Sequence, residues 1–164
     1  MKYTKINTNM LQRITNLYDK NINFFTHIPS QVSEIELRTF FSHYDESYFI
    51  EHNNSDNGLL TIIPFNSMHI RFKLGIISSS VIDHKLVIKS AINEVLRSYP
   101  SAKKIETEIY DYESICIDDF LICGMEVEHT QSNDRFKHGN FWHKTVLKVK
   151  QEIIQQGGHN ENTD

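Results

Sequence analysis

The spacing of apolar residues along the chain changes repeatedly between the period of a β-strand and that of an α-helix. Residues 68–77 and 104–112 alternate apolar and polar side chains, which predicts two strands. Between them, apolar residues at helical spacing from position 81 to 96 predict a long helix that ends before Pro100. A helix that connects two neighbouring strands of one sheet makes those strands parallel, so this region predicts one parallel pair.

Shorter apolar patterns on either side of this unit predict the remaining elements. Helices are expected at residues 10–25, 33–41 and 115–123. Strands are expected at residues 3–6, 48–51, 59–65, 126–132 and 141–150, with hairpin turns at 53–58 and 137–140. Because strands joined by short turns pair antiparallel, the sequence predicts an α/β (α+β) fold with a central mixed β-sheet flanked by helices.

The chain of 164 residues has the size of one domain, which we expect to span residues 1–154. The polar segment 155–164 has no apolar residue, which predicts a disordered tail. The polar N-terminus does not have the pattern of a secretory signal, so the expected location is the cytoplasm. Cys116 and Cys123 are then expected to be buried or idle thiols without a disulfide.

Charge and hydropathy argue against three kinds of ligand. The chain has 17 basic and 21 acidic residues, a formal net charge of −4, so it lacks the basic footprint of a nucleic-acid-binding protein. No apolar run approaches the roughly 20 residues of a membrane-spanning helix, so no membrane contact is expected. His129, His138 and His143 fall in the last hairpin region without a zinc-site spacing, so no metal is expected.

Two segments near the C-terminus carry a family resemblance. Residues 119–128 read Asp-Phe-Leu-Ile-Cys-Gly-Met-Glu-Val-Glu, and residues 142–149 read Trp-His-Lys-Thr-Val-Leu-Lys-Val. With the order of the predicted elements, they resemble the short helix, the glycine turn and the final strand pair of the GNAT acyltransferase superfamily. Members of that superfamily transfer an acyl group from acyl-CoA to an amine. The resemblance implies a GNAT-like fold and a donor that is acetyl-CoA or another acyl thioester.

The resemblance also assigns residues to the donor. In the family, the strand before the long helix offers backbone groups to the pantetheine arm, and the start of that helix holds the phosphates. A tyrosine of the short helix acts as an acid toward the leaving thiolate, and Phe120 occupies its position here. The residues implied in donor binding are Leu74, Ile76, Ile77, Ser78, Ser79, Ser80, Lys85 and Phe120.

Two departures from the family pattern concern that donor site. The family motif R/Q-x-x-G-x-G/A is replaced at residues 79–84 by Ser-Ser-Val-Ile-Asp-His, which contains no glycine. Side chains there would obstruct close approach of the backbone to a pyrophosphate, and Asp83 would repel it. The hydroxyls of residues 78–80 could contact phosphate oxygens, with Lys85 adding charge. Ser80 could also cap the helix, with Asp83 completing a capping box, and the two interpretations do not exclude each other. The second departure is Phe120, which has no proton to donate.

Carboxylates dominate the stretch from Glu106 to Glu128, which contains eight of them and no Lys or Arg. Gathered at a cleft, they would attract a cationic amine; spread over a solvated face, they would balance the basic final hairpin. Glu106 and Glu108 share one face of a strand, where partial burial would raise the pKa of a glutamate and suit it to accept the amine proton. His69 is a second candidate base, and Tyr110 is a candidate replacement for the missing acid.

The sequence therefore predicts an N-acyltransferase that moves an acyl group from an acyl thioester, such as acetyl-CoA, to an amine by direct attack. The expected acceptor is a small cationic or peptide amine. Two alternatives stay open: an enzyme that takes its acyl group from an acyl-carrier protein, and a GNAT-fold binding module without catalysis. A third interpretation is a scaffold protein whose homodimer interface uses the aromatic-rich first half of the chain.

Overall fold

The computed structural model describes residues 1–18, 35, 39, 46–76, 83–111, 116–137 and 139–157. The helices are a 3-10 helix at Thr8–Met10, α1 at Leu11–Tyr18, α2 at His84–Ser98, α3 at Ile117–Ile122 and α4 at Gln151–Gly157. The strands are β1 at Lys2–Lys5, β2 at Ser47–His52, β3 at Ser55–Asn66, β4 at His69–Ile76, β5 at Lys104–Tyr110, β6 at Met125–Lys137 and β7 at Asn140–Val149.

The seven strands form one sheet in the order β1-β2-β3-β4-β5-β7-β6. β4 and β5 are parallel, with α2 between them in sequence, and the other described neighbouring pairs are antiparallel. The predicted α/β fold with a mixed sheet is therefore confirmed, together with its one parallel pair.

β4 and β5 pair over only three positions, all at the N-terminal ends of the two strands. The partners are His69 with Lys104, Ile70 with Ile105, and Arg71 with Glu106. Beyond them, β4 continues to Ile76 paired with β3, and β5 continues to Tyr110 paired with β7. Along the described residues 72–76 and 107–110, the two central strands make no ladder with each other. A gap thus opens between them toward their C-terminal ends.

The core lies between one face of this sheet and α2. The helix buries six of the apolar positions that its spacing predicted, namely Val87, Ile88, Ala91, Ile92, Val95 and Leu96, whereas Leu86 is 48% exposed. It begins at His84 rather than at position 81, because the side chain of Asp83 accepts a hydrogen bond from the Lys85 N–H at 3.0 Å and caps the helix. The expectation that Ser80 is the capping residue is therefore wrong.

The β2–β3 hairpin is tighter than its polar sequence indicates. His52 pairs with Ser55, so the loop consists of Asn53 and Asn54, with φ of 51° and 60°. Two successive residues with positive φ match the twist of a two-residue hairpin, and Asn tolerates that conformation. Residues 55–57, predicted as turn, therefore belong to β3.

β6 is longer than predicted, since it runs to Lys137 instead of ending at position 132. Its register with β7 shifts between Val127 and His129 and again between Gln131 and Arg135. Each shift adds unpaired residues and breaks the two-residue alternation of side chains. The period on which the sequence prediction depends is therefore lost in the second half of the strand.

Gly124 ends α3 with a φ of 90°, as the resemblance implied. Its N–H donates to the carbonyl of Leu121 at 3.1 Å. A Cβ at this position would also lie 2.1 Å from Cδ1 of Ile153, a residue of α4 that packs against the core. Glycine is thus required both by the backbone conformation and by the space.

The short helix α4 was not predicted, and it includes the first three residues of the expected disordered tail. It is held in place because Ile153 and Ile154 pack against the core.

Several predicted segments lie outside the described residues: the end of the first helix at 19–25, most of the helix at 33–41, and the tail at 158–164. Residues 35 and 39 are described and helical. None of the described helices has the length and apolar character needed to cross a membrane.

Candidate active site

The gap between β4 and β5 is bordered by polar side chains on the face of the sheet opposite α2. Successive side chains of a strand point to opposite faces, so every second residue of β4 and β5 lies on this polar face. Paired positions of parallel strands share a face, which places Arg71 and Glu106 on the same side. The polar face carries His69, Arg71, Lys73, Lys104, Glu106, Glu108 and Tyr110.

Glu106 is the centre of a buried ion cluster at the paired end of the two strands. Its side chain is 3% exposed, Arg71 donates to its Oε1 through Nε at 2.8 Å and through Nη2, and Lys104 Nζ lies 2.8 Å from its Oε2. Burial raises the pKa of this carboxyl, but the hydrogen bonds from Lys104 and Arg71 outweigh burial and hold the pKa at about 2. The expectation of a raised pKa is therefore wrong for Glu106, which stays ionised at neutral pH.

Glu108 lies two residues further along β5, beside the open part of the gap. Arg71 Nη1 lies 2.6 Å from its Oε1, and Lys73 Nζ lies 3.5 Å from its Oε2. The side chains of Glu108 and Lys73 are 12% and 15% exposed, so both charges are largely withdrawn from water. These two contacts connect the strands across the mouth of the gap, where their backbones no longer pair.

His69 lies at the closed end of the gap, as the first residue of β4. Its Nε2 lies 3.0 Å from Oε2 of Glu106, although the ring N–H is not aligned for a hydrogen bond with that oxygen. The imidazole also packs against the ring of Phe65, with 4.8 Å between centroids. His69 is thus brought to the Glu106 cluster and is not next to the open part of the gap.

Tyr110 contacts a carboxylate that the sequence did not single out. Its hydroxyl donates to Oδ2 of Asp134 at 2.5 Å, and the guanidinium of Arg135 lies over its ring at 4.8 Å from the centroid. Burial, followed by the hydrogen bond to Asp134, raises the pKa of Tyr110. Asp134 in turn lies 3.1 Å from Lys144 Nζ. Because its proton is held by Asp134, Tyr110 is poorly suited to protonate a leaving thiolate.

The carboxylates between residues 106 and 128 do not form one acidic pocket. Those on strands have basic partners: besides Glu106 and Glu108, Glu126 lies 3.3 Å from Lys148 and Glu128 lies 2.8 Å from Lys104. Around the gap, the described ion pairs join Arg71, Lys73 and Lys104 to Glu106, Glu108 and Glu128, and Lys144 to Asp134 beside Tyr110. Of the two arrangements that the sequence left open, a negative pocket and carboxylates balanced by basic residues, the described contacts agree with the second.

The residues implied in donor binding are only partly described. Leu74 and Ile76 lie on the open part of β4 with their side chains in the core, so only their backbone groups can reach the gap. Lys85 lies in the first turn of α2, and its N–H is already taken by the carboxylate of Asp83. Ile77, Ser78, Ser79 and Ser80 lie outside the described residues.

Phe120 is 1% exposed and is part of the hydrophobic core. It contributes packing and offers no group that could protonate a thiolate.

Cys123 is buried, its Sγ lies 3.4 Å from the carbonyl oxygen of Lys85, and burial raises the pKa of its thiol. Cys116, which was expected to be buried or idle, is exposed. Among the described residues, no group of three or more possible metal ligands comes together.

Sequence reasoning missed Arg71 and Lys73 as site residues. Both alternate with the apolar residues of β4, so their common face was visible in the sequence. Their contacts with Glu106 and Glu108 depend on the three-residue register of β4 with β5. The alternation could have placed the two cations on a face that borders the gap, but not their partners.

Comparison with known proteins finds relatives by structure alone. No protein-family model and no curated protein matches the chain. Spermidine N-acetyltransferase from Vibrio cholerae, solved in complex with CoA and spermine, superposes with a TM-score of 0.72 at 17% identity, covering 94% of this chain and 97% of that one.

Two further solved structures match over most of the chain. A putative phosphinothricin N-acetyltransferase matches with a TM-score of 0.69 at 14% identity, over 91% of this chain and 97% of that one. Ribosomal-protein-alanine N-acetyltransferase from Brucella melitensis matches with a TM-score of 0.68 at 10% identity, over 90% and 98%. The chain therefore has the fold of the GNAT N-acetyltransferases, as the resemblance implied.

Proposed function

We propose that this protein is an N-acyltransferase that binds an acyl thioester, such as acetyl-CoA, in the gap between β4 and β5 and transfers the acyl group to an amine. The observation that carries the proposal is the parallel ladder that stops after Arg71 and Glu106 while both strands continue. A thioester arm needs such an opening between strands, and the structural relatives named above are N-acetyltransferases.

The backbone of β4 is suited to hold the donor. In an antiparallel pair, alternate residues direct their N–H and C=O groups away from the partner strand. Every second residue of 72–76 therefore directs these groups away from β3 and toward the gap, where β5 does not pair with them. A pantetheine arm contains two amides and can take the place of the missing strand. The same N–H groups can stabilise the oxyanion that forms on the thioester carbonyl.

Glu108 is the side chain proposed to handle the acceptor amine. It lies on the polar face beside the open part of the gap, so an amine approaching a thioester there would contact its carboxylate. The ammonium gives up one proton, to Glu108 directly or through water, before it attacks the carbonyl carbon. The C–N bond then forms, the nitrogen gives up its second proton to water, the C–S bond breaks, and the thiolate leaves.

The leaving thiolate has no side-chain acid among the candidates. Phe120 has no proton, and the hydroxyl of Tyr110 is held by Asp134. Water is therefore the proposed proton source for the thiolate. We accordingly expect turnover to be slower than in an enzyme with a positioned acid, because general acid catalysis contributes typically about 10²–10⁴-fold.

Two measurements on the purified protein test the proposal. Acetyl-CoA should raise the melting temperature, since a ligand at about 100 times its Kd stabilises the folded state by about 2.7 kcal/mol. Acetyl-CoA together with a panel of amines should release free thiol and form the corresponding amides, detected by mass spectrometry. If no acyl thioester stabilises the protein and no amine is acylated, the proposal is wrong.

A second candidate function differs only in the donor. The carboxylate of Asp83 caps α2, so the helix end that would hold the CoA pyrophosphate already carries a negative charge. This observation favours a donor that lacks the pyrophosphate and the adenosine with its 3′-phosphate, such as an acyl group on the phosphopantetheine of a carrier protein. Transfer from an acylated carrier with little transfer from acetyl-CoA would support this candidate, and the reverse would exclude it.

A further inference from the structure

The charges at the mouth of the gap define the class of acceptor. We infer that the acceptor is a small zwitterion of the free amino acid type, whose ammonium binds Glu108 and whose carboxylate binds Lys73. Lys73 is then the residue that determines acceptor specificity. The inference rests on the proposed acyltransferase function and adds the chemical class of the acceptor to it.

Lys73 is an incompletely paired ammonium. Its side chain is 15% exposed, and its one carboxylate contact among the described residues is Glu108 at 3.5 Å. An ammonium has three N–H donors, and a charge-assisted hydrogen bond is normally about 2.7–2.9 Å long. Nζ is not among the buried polar atoms of the described residues that lack a partner, so water can reach it, and an anionic ligand group can take the place of that water. Lys73 can therefore accommodate one more anionic group.

Glu108 is only partly paired in the same way. Arg71 Nη1 holds its Oε1 at 2.6 Å, which fixes the orientation of the carboxylate. Its Oε2 has only the long contact with Lys73 among the charged groups described. One oxygen is thus positioned by Arg71, while the other has a single long contact and can bind an ammonium.

A zwitterion can insert into this long ion pair without changing the net charge. Its ammonium would lie next to Oε2 of Glu108 and its carboxylate next to Nζ of Lys73, so that positive and negative groups alternate. The carboxylates around the gap are all paired with cations of the protein, so no excess negative charge is left to balance a polyamine. A polycation would instead meet repulsion from Arg71 and Lys73.

The closed end of the gap does not offer such a site. Glu106 receives contacts of 2.8 Å or shorter on both of its oxygens, from Arg71 and from Lys104. Inserting a ligand there would break short buried contacts that are already complete. A binding site requires charged groups that can still take a partner. The open end has such groups and the closed end does not, so we place the acceptor at the open end.

The experiment compares amino acids with their own amides. The panel consists of the common L-amino acids, each paired with its C-terminal amide, with spermidine as a polycation, all with acetyl-CoA or an acylated carrier as donor. An amide keeps the amine and side chain and removes only the carboxylate. We expect at least one free acid to be acylated with a kcat/KM about tenfold or more above that of its amide, and spermidine to be poorer still.

Substitution of Lys73 tests its role directly. Lys73→Gln should reduce the acid-to-amide ratio of kcat/KM toward one, mainly through a higher KM for the acid, whereas Lys73→Arg should retain the preference. Lys89→Gln is the matched control, because Lys89 is exposed on α2, and it should leave the ratio as in the wild type. Thermal melting reports whether each variant is folded. The wild-type ratio needs no variant, so the inference can fail even if Lys73→Gln does not fold.

The outcomes separate this inference from the proposed function. If amides or spermidine are acylated as well as the free acids, or if Lys73→Gln leaves the ratio unchanged, the zwitterion inference is wrong while the acyltransferase proposal stands. If a thioester stabilises the protein but no amino acid is acylated, only the zwitterion inference is wrong; if no acyl thioester stabilises the protein and no amine is acylated, both are wrong.

Discussion

The two ends of the β4–β5 pair are built from the same alternating residues and differ in how completely their charges are satisfied. At the closed end, where the backbones pair, the carboxylate of Glu106 is 3% exposed and both of its oxygens have short contacts with cations. At the open end, where the backbones have parted, Glu108 and Lys73 are held by a contact of 3.5 Å. Arg71 contacts both glutamates and joins the two ends.

This difference indicates that a charged face can have a structural half and a functional half. Removing one partner of a complete buried ion pair leaves an uncompensated charge, so the closed end should contribute to folding. Incomplete pairing at the open end leaves contacts that a ligand can provide. The comparison therefore predicts that substitutions at the two ends separate stability from turnover.

The largest expected effect is on turnover at the open end. Glu108→Gln removes the proposed proton acceptor while keeping the side-chain size, so kcat should fall by roughly 10²–10⁴-fold. Steady-state thiol release measures it, and thermal melting shows whether the fold is retained. Glu126→Gln is the matched control, because Glu126 is paired with Lys148 away from the gap. Equal loss of kcat in Glu108→Gln and Glu126→Gln would contradict the role of Glu108 as the proton acceptor.

The largest effect on stability is expected at the closed end. Glu106→Gln leaves Arg71 and Lys104 without their shared buried carboxylate, which should lower the free energy of unfolding by about 3–5 kcal/mol. Urea unfolding measures the loss. Glu128→Gln removes a more exposed partner of Lys104 and should cost about 1 kcal/mol or less. A similar loss in the two variants would mean that burial does not distinguish the two glutamates.

The pH dependence of stability should show the same cluster. The pKa of Glu106 is about 2 in the folded protein and about 4.5 when unperturbed, so the folded state binds the proton less readily than the unfolded state. Its contribution to stability is therefore complete above about pH 4.5 and is lost as the pH falls toward 2. Urea unfolding between pH 7 and 2 should show this loss in the wild type, with a smaller loss in Glu106→Gln. If the free energy of unfolding falls equally with pH in the wild type and in Glu106→Gln, Glu106 does not contribute to the pH dependence of stability.

A smaller effect is expected away from the gap, at the turn after α3. Gly124→Ala should lower the free energy of unfolding by about 1–2 kcal/mol because an L-residue is strained at this positive φ. The clash of its Cβ with Ile153 should lower it further. Gly139→Ala isolates the backbone term, because Gly139 has a φ of 79° and a Cβ added there would meet no atom within 4 Å. Thermal melting should place Gly124→Ala below Gly139→Ala. Identical values would mean that the packing against Ile153 relaxes at no cost.

The smallest expected effect concerns the donor. Asp83→Asn keeps a capping side chain on α2 and removes its negative charge, so the affinity for acetyl-CoA should rise only a few-fold, by about 0.3–1 kcal/mol. Isothermal calorimetry measures the change in Kd. Weaker binding of acetyl-CoA by the variant would show that the Asp83 carboxylate does not oppose the pyrophosphate.

The sequence predicts the fold better than it predicts the site. Alternation and helical spacing are local, so β4, α2 and β5 were predicted together with their parallel arrangement. The pattern was lost where bulges break the period of β6. The site depends on contacts between distant residues: the pKa of Glu106 is lowered by Arg71, which lies 35 positions away in sequence. Glu108 could be proposed from its own position, whereas its pairing with Lys73 required the register of the two strands.

The most direct test of the central claim is an amide chemical-shift titration of the ¹⁵N-labelled protein with acetyl-CoA. If the gap holds the thioester arm, the amides of residues 72–76 should shift in a saturable manner, while those of His69 and Ile70 at the closed end should change little. An acylated carrier should produce the same pattern if the donor is carrier-bound. Saturation with either donor that leaves residues 72–76 unperturbed, or no binding of either, would contradict the claim.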